Sequence, residues 1–158
     1  MVPDFAGGAT FGLILHYMAF TAGDDANFAY ALKYLEKLCT KYDKKPDKRQ
    51  RPQQSVRQLL GRANFEQVLE EATIGALEKR PGVRNLQAAK RLAQKDRSAR
   101  KALGVALFHD GAYRRVQGDE AGCLARMKEV FDLGFDGEPV RWYLARYELD
   151  RAVSVKSR

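Results

Sequence analysis

The chain has 158 residues, 45% of them hydrophobic and 30% charged, with one Trp, seven Tyr and eight Phe. That composition excludes a disordered segment and provides for one folded unit. Two cysteines, Cys39 and Cys123, exclude a disulfide framework or a cysteine-rich zinc site, and both occupy apolar positions of helical patterns, so they read as reduced core thiols.

The formal net charge of +8 is unevenly placed. Lys44 to Arg57 holds six basic residues and one acid, and Lys79 to Lys101 holds nine and one, so the remainder of the chain is net acidic. A basic excess confined to the middle implies a local positive field that attracts phosphates or an acidic partner.

The first element in chain order is an uncharged run from Phe5 to Gly23. Its glycines, its His16 and the preceding Asp4 fit neither a signal peptide nor a bilayer-crossing helix; a buried helix over Ala9 to Thr21 and a cytoplasmic protein are expected. After the break at Gly23-Asp24-Asp25, the residues Phe28, Ala31, Leu32, Leu35, Leu38 and Cys39 recur at three- and four-residue spacing and predict an amphipathic helix capped by Asp24 or Asp25. The stretch "KYDKKPDKRQRPQQ", with two prolines and hardly an apolar residue, predicts a basic loop at about 42–54. Ser55 is the expected cap of a short helix carrying Val56, Leu59 and Leu60 inward. Asn64 begins another, with Phe65, Val68, Leu69, Ala72 and Ala76 on one side, ending near Arg80-Pro81-Gly82.

Asn85 is expected to cap a helix to about Gln94 whose Leu86, Ala89 and Ala93 form the apolar stripe. Ser98 is expected to open a longer helix through Leu103, Ala106, Leu107, Phe108 and Ala112. Gly118-Asp119 breaks that helix and caps its successor, in which Cys123, Leu124, Met127, Val130 and Phe131 face inward. Glu138-Pro139 starts a last helix, where Val140, Trp142, Tyr143, Leu144, Ala145, Tyr147 and Leu149 predict packing between neighbours rather than a stacking platform. No stretch alternates with period two, so the fold class is all-α: a single domain, 1–158, of helical hairpins stacked as an α-α superhelix or an irregular bundle.

"GDDANFAYALKYLEKL" from Gly23 and "GDEAGCLARMKEVFDL" from Gly118 align in register, glycine on glycine and aspartate on aspartate, with Leu35 on Val130 and Leu38 on Leu133. One device is used twice: a glycine for the tight turn, an aspartate for the orphan amides, and periodic apolar residues for packing. From Ser98 to Leu149 the chain resembles a tetratricopeptide-like helical repeat. Gly111, Gly118, Asp119, Cys123, Met127 and Val130 look like that family's turn and second-helix positions, "WYLARYEL" resembles the first helix of a further unit, and Leu13 to Lys41 is a weaker echo. The resemblance implies an α-α superhelix that binds proteins.

Catalytic constellations are missing from the pattern. His16 and His109 have no metal ligand at suitable spacing, and Asp110, adjacent to His109, points elsewhere on a helix, so both read as structural histidines. "GGATFG" lacks the strand and the lysine of a phosphate loop, and the neighbours Glu70-Glu71 and Asp24-Asp25 diverge or serve as caps. No enzyme, cofactor or metal is expected.

The basic segments are the candidate site. Lys44, Lys45, Lys48, Arg49 and Arg51 read as an arm, and Arg84, Lys90, Arg91, Lys95, Arg97, Arg100 and Lys101 as a helical ridge. Two functions follow from them. The first is a non-catalytic helical interaction module that docks a protein partner and presents a basic surface to an acidic or phosphate-bearing ligand. The second is a small nucleic-acid-binding subunit of a nucleoprotein complex, gripping RNA or DNA backbone, similar in size, charge and helicity to the small subunits of CRISPR effector complexes. Both segments on one continuous face would favour the second; cations neutralised by the protein itself would favour the first.

Overall fold

The uncharged run near the start folds as helix α1 (Gly8–Ala22) in the computed structural model, which describes residues 8–44, 54–74, 82–134 and 139–156. The described residues form eight α-helices and no strand. They fall into two compact units, Met1–Ala63 and Asn64–Arg158. No described helix is long and apolar enough to cross a membrane.

In the first unit α1 pairs with α2 (Asp25–Lys44) as a hairpin. Gly23 makes the turn at φ 67°, and the Asp24 carboxylate accepts from the Asn27 backbone N–H at 3.0 Å and from its side-chain amide at 2.7 Å. The glycines that weaken α1 as a helix have a packing purpose. A Cβ at Gly12 would fall 2.7 Å from Leu35 Cδ2 and 3.0 Å from Tyr34 Cδ1, so the missing side chain lets the two helices close. Leu13, Leu35, Leu38, Cys39 and Val56 form the core, the last contributed by the short α3 (Gln54–Leu59).

Two expectations are corrected here. Lys41 to Lys44, read as loop, are the last turn of α2, because Tyr42 packs inward on that core and Asp43 holds Arg57 of α3 at 2.6 Å. Ser55 is not a cap; it is buried inside α3.

The second unit comprises α4 (Phe65–Ile74), α5 (Leu86–Lys95), α6 (Arg97–Val116), α7 (Glu120–Asp132) and α8 (Pro139–Lys156). Its helix starts follow local chemistry. Asn64 and Gln67 exchange bonds in a reciprocal capping box at 3.0 and 2.9 Å. Asn85 caps α5 through Ala88 N–H at 3.1 Å, and Asp119 caps α7 through Gly122 N–H at 2.8 Å after Gly118 at φ 82°. The cap of α6 is Asp96 rather than Ser98: its carboxylate accepts from Ala99 N–H at 2.7 Å while its own N–H donates to Leu92 O at 3.0 Å, so one residue ends α5 and begins α6. The expected inward Ala76, the helix end near Arg80 and Pro81, and the start at Glu138 lie outside the described residues.

Helix α6 is the centre of this unit and touches α4, α5, α7 and α8. Leu103, Gly104, Ala106, Leu107, Phe108, Gly111 and Ala112 are all buried, so apolar surface covers most of its circumference. Against α7 the approach is tight at Gly111, where a Cβ would lie 3.0 Å from Met127 Cε and Arg126 Cβ. The expected packing of α8 holds for Ala145, which is buried, but not for Val140, Tyr143 and Tyr147, which are exposed. Phe131, expected inward, is partly exposed and stacks on Trp142 at 5.1 Å between ring centroids.

Candidate interaction surface

The basic ridge centres on the one-residue corner between α5 and α6. Asp96 holds the corner from one side, and Arg100 from the other, donating Nε–H to Ala93 O at 2.9 Å and Nη2–H to Gln94 O at 3.3 Å. Reciprocal satisfaction of the α5 carbonyls and the α6 amides makes this corner stiff.

Of the predicted ridge residues, three are engaged by the protein itself. Arg84, just ahead of α5, pairs with Glu70 of α4 at 2.8 Å; Lys90 pairs with Glu129 of α7 at 2.6 Å; Arg100 is the corner brace. Arg91 and Lys95 occupy the exposed side of α5, one turn apart, and Arg97 and Lys101 stand exposed on the first two turns of α6. Arg91, Lys95 and Arg97 form no ion pair among the described residues. Of the predicted arm, Lys44 is exposed at the end of α2 in the first unit, and Lys45, Lys48, Arg49 and Arg51 lie outside the described residues.

Beside the corner, α5, α6 and α7 border an open cleft of about 380 Å³ lined by Lys90, Ala93, Gln94, Arg100, Glu129, Asp132 and Leu133. Its charges are largely spoken for: Lys90 by Glu129, Asp132 by Lys128 at 2.8 Å, and Arg100 by the α5 carbonyls. The cleft therefore supplies shape and a Leu133 floor more than a field.

Behind this surface runs an ionic lattice. Glu129 also accepts from Arg126 at 2.8 Å; Arg126 reaches Asp110 of α6 at 2.6 Å and lies 4.5 Å above the Phe65 ring of α4; Asp110 in turn accepts from Arg114 at 2.9 Å, which bonds the cap Asp119 at 3.0 Å. The hydrogen bonds that Arg114 donates to the Asp110 and Asp119 carboxylates hold its guanidinium above its ordinary pKa. A second group joins α6, α7 and α8: Glu148, only 1% exposed, accepts from Arg115 at 2.5 Å and from Arg151 at 3.1 Å, and Arg151 approaches Glu120 at 3.7 Å. Buried carboxylates so placed fix helix register, since removal of either partner strands a charge in low dielectric.

The histidines are buried. The Arg141 Nε–H of α8 donates to His109 Nε2 at 3.2 Å, which places the ring proton of neutral His109 on Nδ1. His16 Nε2 finds no hydrogen-bond partner, and its ring lies 4.4 Å from that of Phe28; burial lowers its pKa to about 4. Burial also raises the Cys123 thiol, to about 11, with a further contribution from Glu148, and raises that of Cys39. Both cysteines are thus protonated core residues at neutral pH.

The lattice escaped the sequence reading, although one signal was available. Asp110 follows Leu103 and Leu107 at the next stripe position of α6, and Glu148 follows Ala145 in the same way on α8. A charged residue on a buried stripe announces a partner from another helix. Comparison with protein-family models, curated proteins and solved structures returns no match.

Proposed function

We propose that the protein is a non-catalytic helical interaction module that receives an acidic segment of a protein partner at the α5–α6 corner. The observation that carries this reading is a division of labour among the ridge cations. Arg84, Lys90 and Arg100 are committed to the protein's own acids and carbonyls, while Arg91, Lys95 and Arg97 stand exposed around a braced corner with no ion pair among the described residues. Three cations spread over roughly two helical turns suit two or three carboxylates of a short segment better than a long phosphate track. The adjoining cleft, floored by Leu133, would accept an apolar side chain beside those acids. The tetratricopeptide-like character of the α6–α7 hairpin and a cytoplasmic setting, where two buried thiols stay reduced, belong to the same proposal.

The test is a titration of the protein with a fluorescent peptide rich in Asp and Glu, with single-stranded RNA and with duplex DNA, each at two salt concentrations. A variant carrying Arg91→Gln, Lys95→Gln and Arg97→Gln accompanies it. Peptide binding that the variant loses supports the reading. Three cations can account for a log–log salt slope of about −2.7 on duplex DNA. Nucleic-acid binding with a steeper slope, retained in the variant, would replace this proposal with the nucleoprotein one and move the site to other cations.

A further inference from the structure

Lys90 of α5 and Glu129 of α7 meet within the cleft beside the corner. Of the ridge cations, Lys90 is paired with an acid that itself lines the cleft; Arg84 is paired with Glu70, which does not, and Arg100 holds backbone carbonyls. The Lys90 ammonium donates to Glu129 Oε1 at 2.6 Å, and the two side chains are 30% and 21% exposed, so both ends of the bond are reachable from solvent.

The two ends do not depend on the bond equally. Glu129 keeps Arg126 on its other oxygen, Oε2, at 2.8 Å, and Arg126 is anchored in turn by Asp110 at 2.6 Å. Lys90 has Glu129 as its acceptor, with no second one among the described residues, and its ammonium sits on a flexible four-carbon stem. Release of Lys90 therefore leaves no unpaired carboxylate behind on α7, and the freed ammonium swings to a new acceptor at the cost of a single bond.

We infer that Glu129 stands in for the partner's carboxylate: it holds Lys90 in the free protein, and an acidic side chain entering the cleft takes Lys90 from it. This rests on the corner reading above and adds a residue that sets affinity and specificity there. Exchange of one carboxylate for another at the same ammonium nearly balances, but the resident one is always in place, so apparent affinity falls with the fraction of Lys90 that is free. A ligand that touches Arg91, Lys95 and Arg97 alone gains nothing from the exchange. One that also sets an acid beside an apolar side chain over Leu133 gains a further cation. Asp132, the other lining acid, provides the control. Lys128, which does not line the cleft, holds both of its oxygens at 2.9 and 2.8 Å, so loss of the Asp132 charge makes the cleft less acidic without freeing Lys90.

Fluorescence anisotropy with a labelled peptide of Asp and Glu around one Leu tests the exchange. Glu129→Gln should bind about 3- to 10-fold more tightly than the wild type, and Lys90→Gln more weakly by a similar factor. Asp132→Asn should gain less than Glu129→Gln, and in Lys90→Gln with Glu129→Gln the second change should add nothing. Unchanged affinity in Glu129→Gln overturns the inference. So does an equal gain in Asp132→Asn, or a gain that persists without Lys90, since either would be a general effect of charge. If Glu129→Gln loses helical circular dichroism, Lys90→Gln carries the comparison, because Arg126 still satisfies Glu129, and undiminished binding there overturns the exchange. Loss of binding in the Arg91, Lys95 and Arg97 variant with none of these changes at Glu129 defeats this inference and leaves the corner reading standing. Absence of binding in both the wild type and Glu129→Gln defeats both.

Discussion

Helix α6 contains two buried glycines seven residues apart whose replacement should act in opposite directions. At Gly104 a Cβ would meet only Leu133 Cδ1, at 3.9 Å, an ordinary van der Waals contact. Gly104→Ala therefore removes the backbone-entropy penalty of glycine in a helix at no steric cost, a gain of about 1 kcal/mol. At Gly111 the Cβ itself stands 3.0 Å from Arg126 Cβ and Met127 Cε and 3.4 Å from Cys123 O, and the two methyls of valine must enter beyond it. Gly111→Val forces α6 and α7 apart and strains the Arg126–Asp110 bond, a net loss of about 2 kcal/mol after the small propensity gain. Trp142, the sole tryptophan, lies half-buried in the same unit against Phe131, so its fluorescence in a urea titration reports on this packing. With an m value of about 1–1.5 kcal/mol/M, the midpoint should rise by about 0.7–1 M for Gly104→Ala and fall by about 1.3–2 M for Gly111→Val. A loss of stability at Gly104, or none at Gly111, would refute the proposed closeness of α6 to α7 at one site and its looseness at the other.

Two further outcomes follow from the buried polar groups. His16 is neutral in its apolar site with a pKa of about 4 against an ordinary 6.5, so the unfolded chain takes up a proton that the folded one refuses. The stability this confers is complete above pH 6.5 and is lost as pH falls toward 4, by about 3 kcal/mol. The His16→Leu variant should lose that part of the pH dependence, seen as a smaller difference between urea midpoints at pH 7 and pH 4.5 by circular dichroism; an unchanged difference would assign the acid sensitivity elsewhere. Replacing Glu148 by Ala leaves Arg115, itself nearly buried, without its 2.5 Å partner, and should cost about 3–5 kcal/mol. Arg115→Met with Glu148→Met should recover part of it, Arg151 still losing its 3.1 Å partner; in a double-mutant cycle with the two Met single variants, additive losses would show that the pair does not act as a unit.

Much of the helical framework was legible because its causes are local. The aspartates at Asp24 and Asp119 and the asparagines at Asn64 and Asn85 cap helices through amides three residues away, and Gly23, Gly61, Gly118 and Gly134 turn the chain with positive φ. The misplaced start at Ser98 failed by two residues for the same kind of reason: Asp96 is a cap of equal quality, and its double duty shortens the connection to a single residue.

The ridge was another matter. Lys90 and Arg91 are neighbours of the same sign, yet one is tied to Glu129, 39 residues on, and the other stands in solvent. Tyr143 and Ala145 belong to one apolar-rich helix, and only the alanine is buried. By itself the sequence determined the helices, their turns and the placement of positive charge, because each depends on groups within about one turn of the chain. Which cations are neutralised, which carboxylates are buried and which aromatic residues face water were decided by the tertiary structure, because burial and ion pairing depend on side chains that only folding brings together.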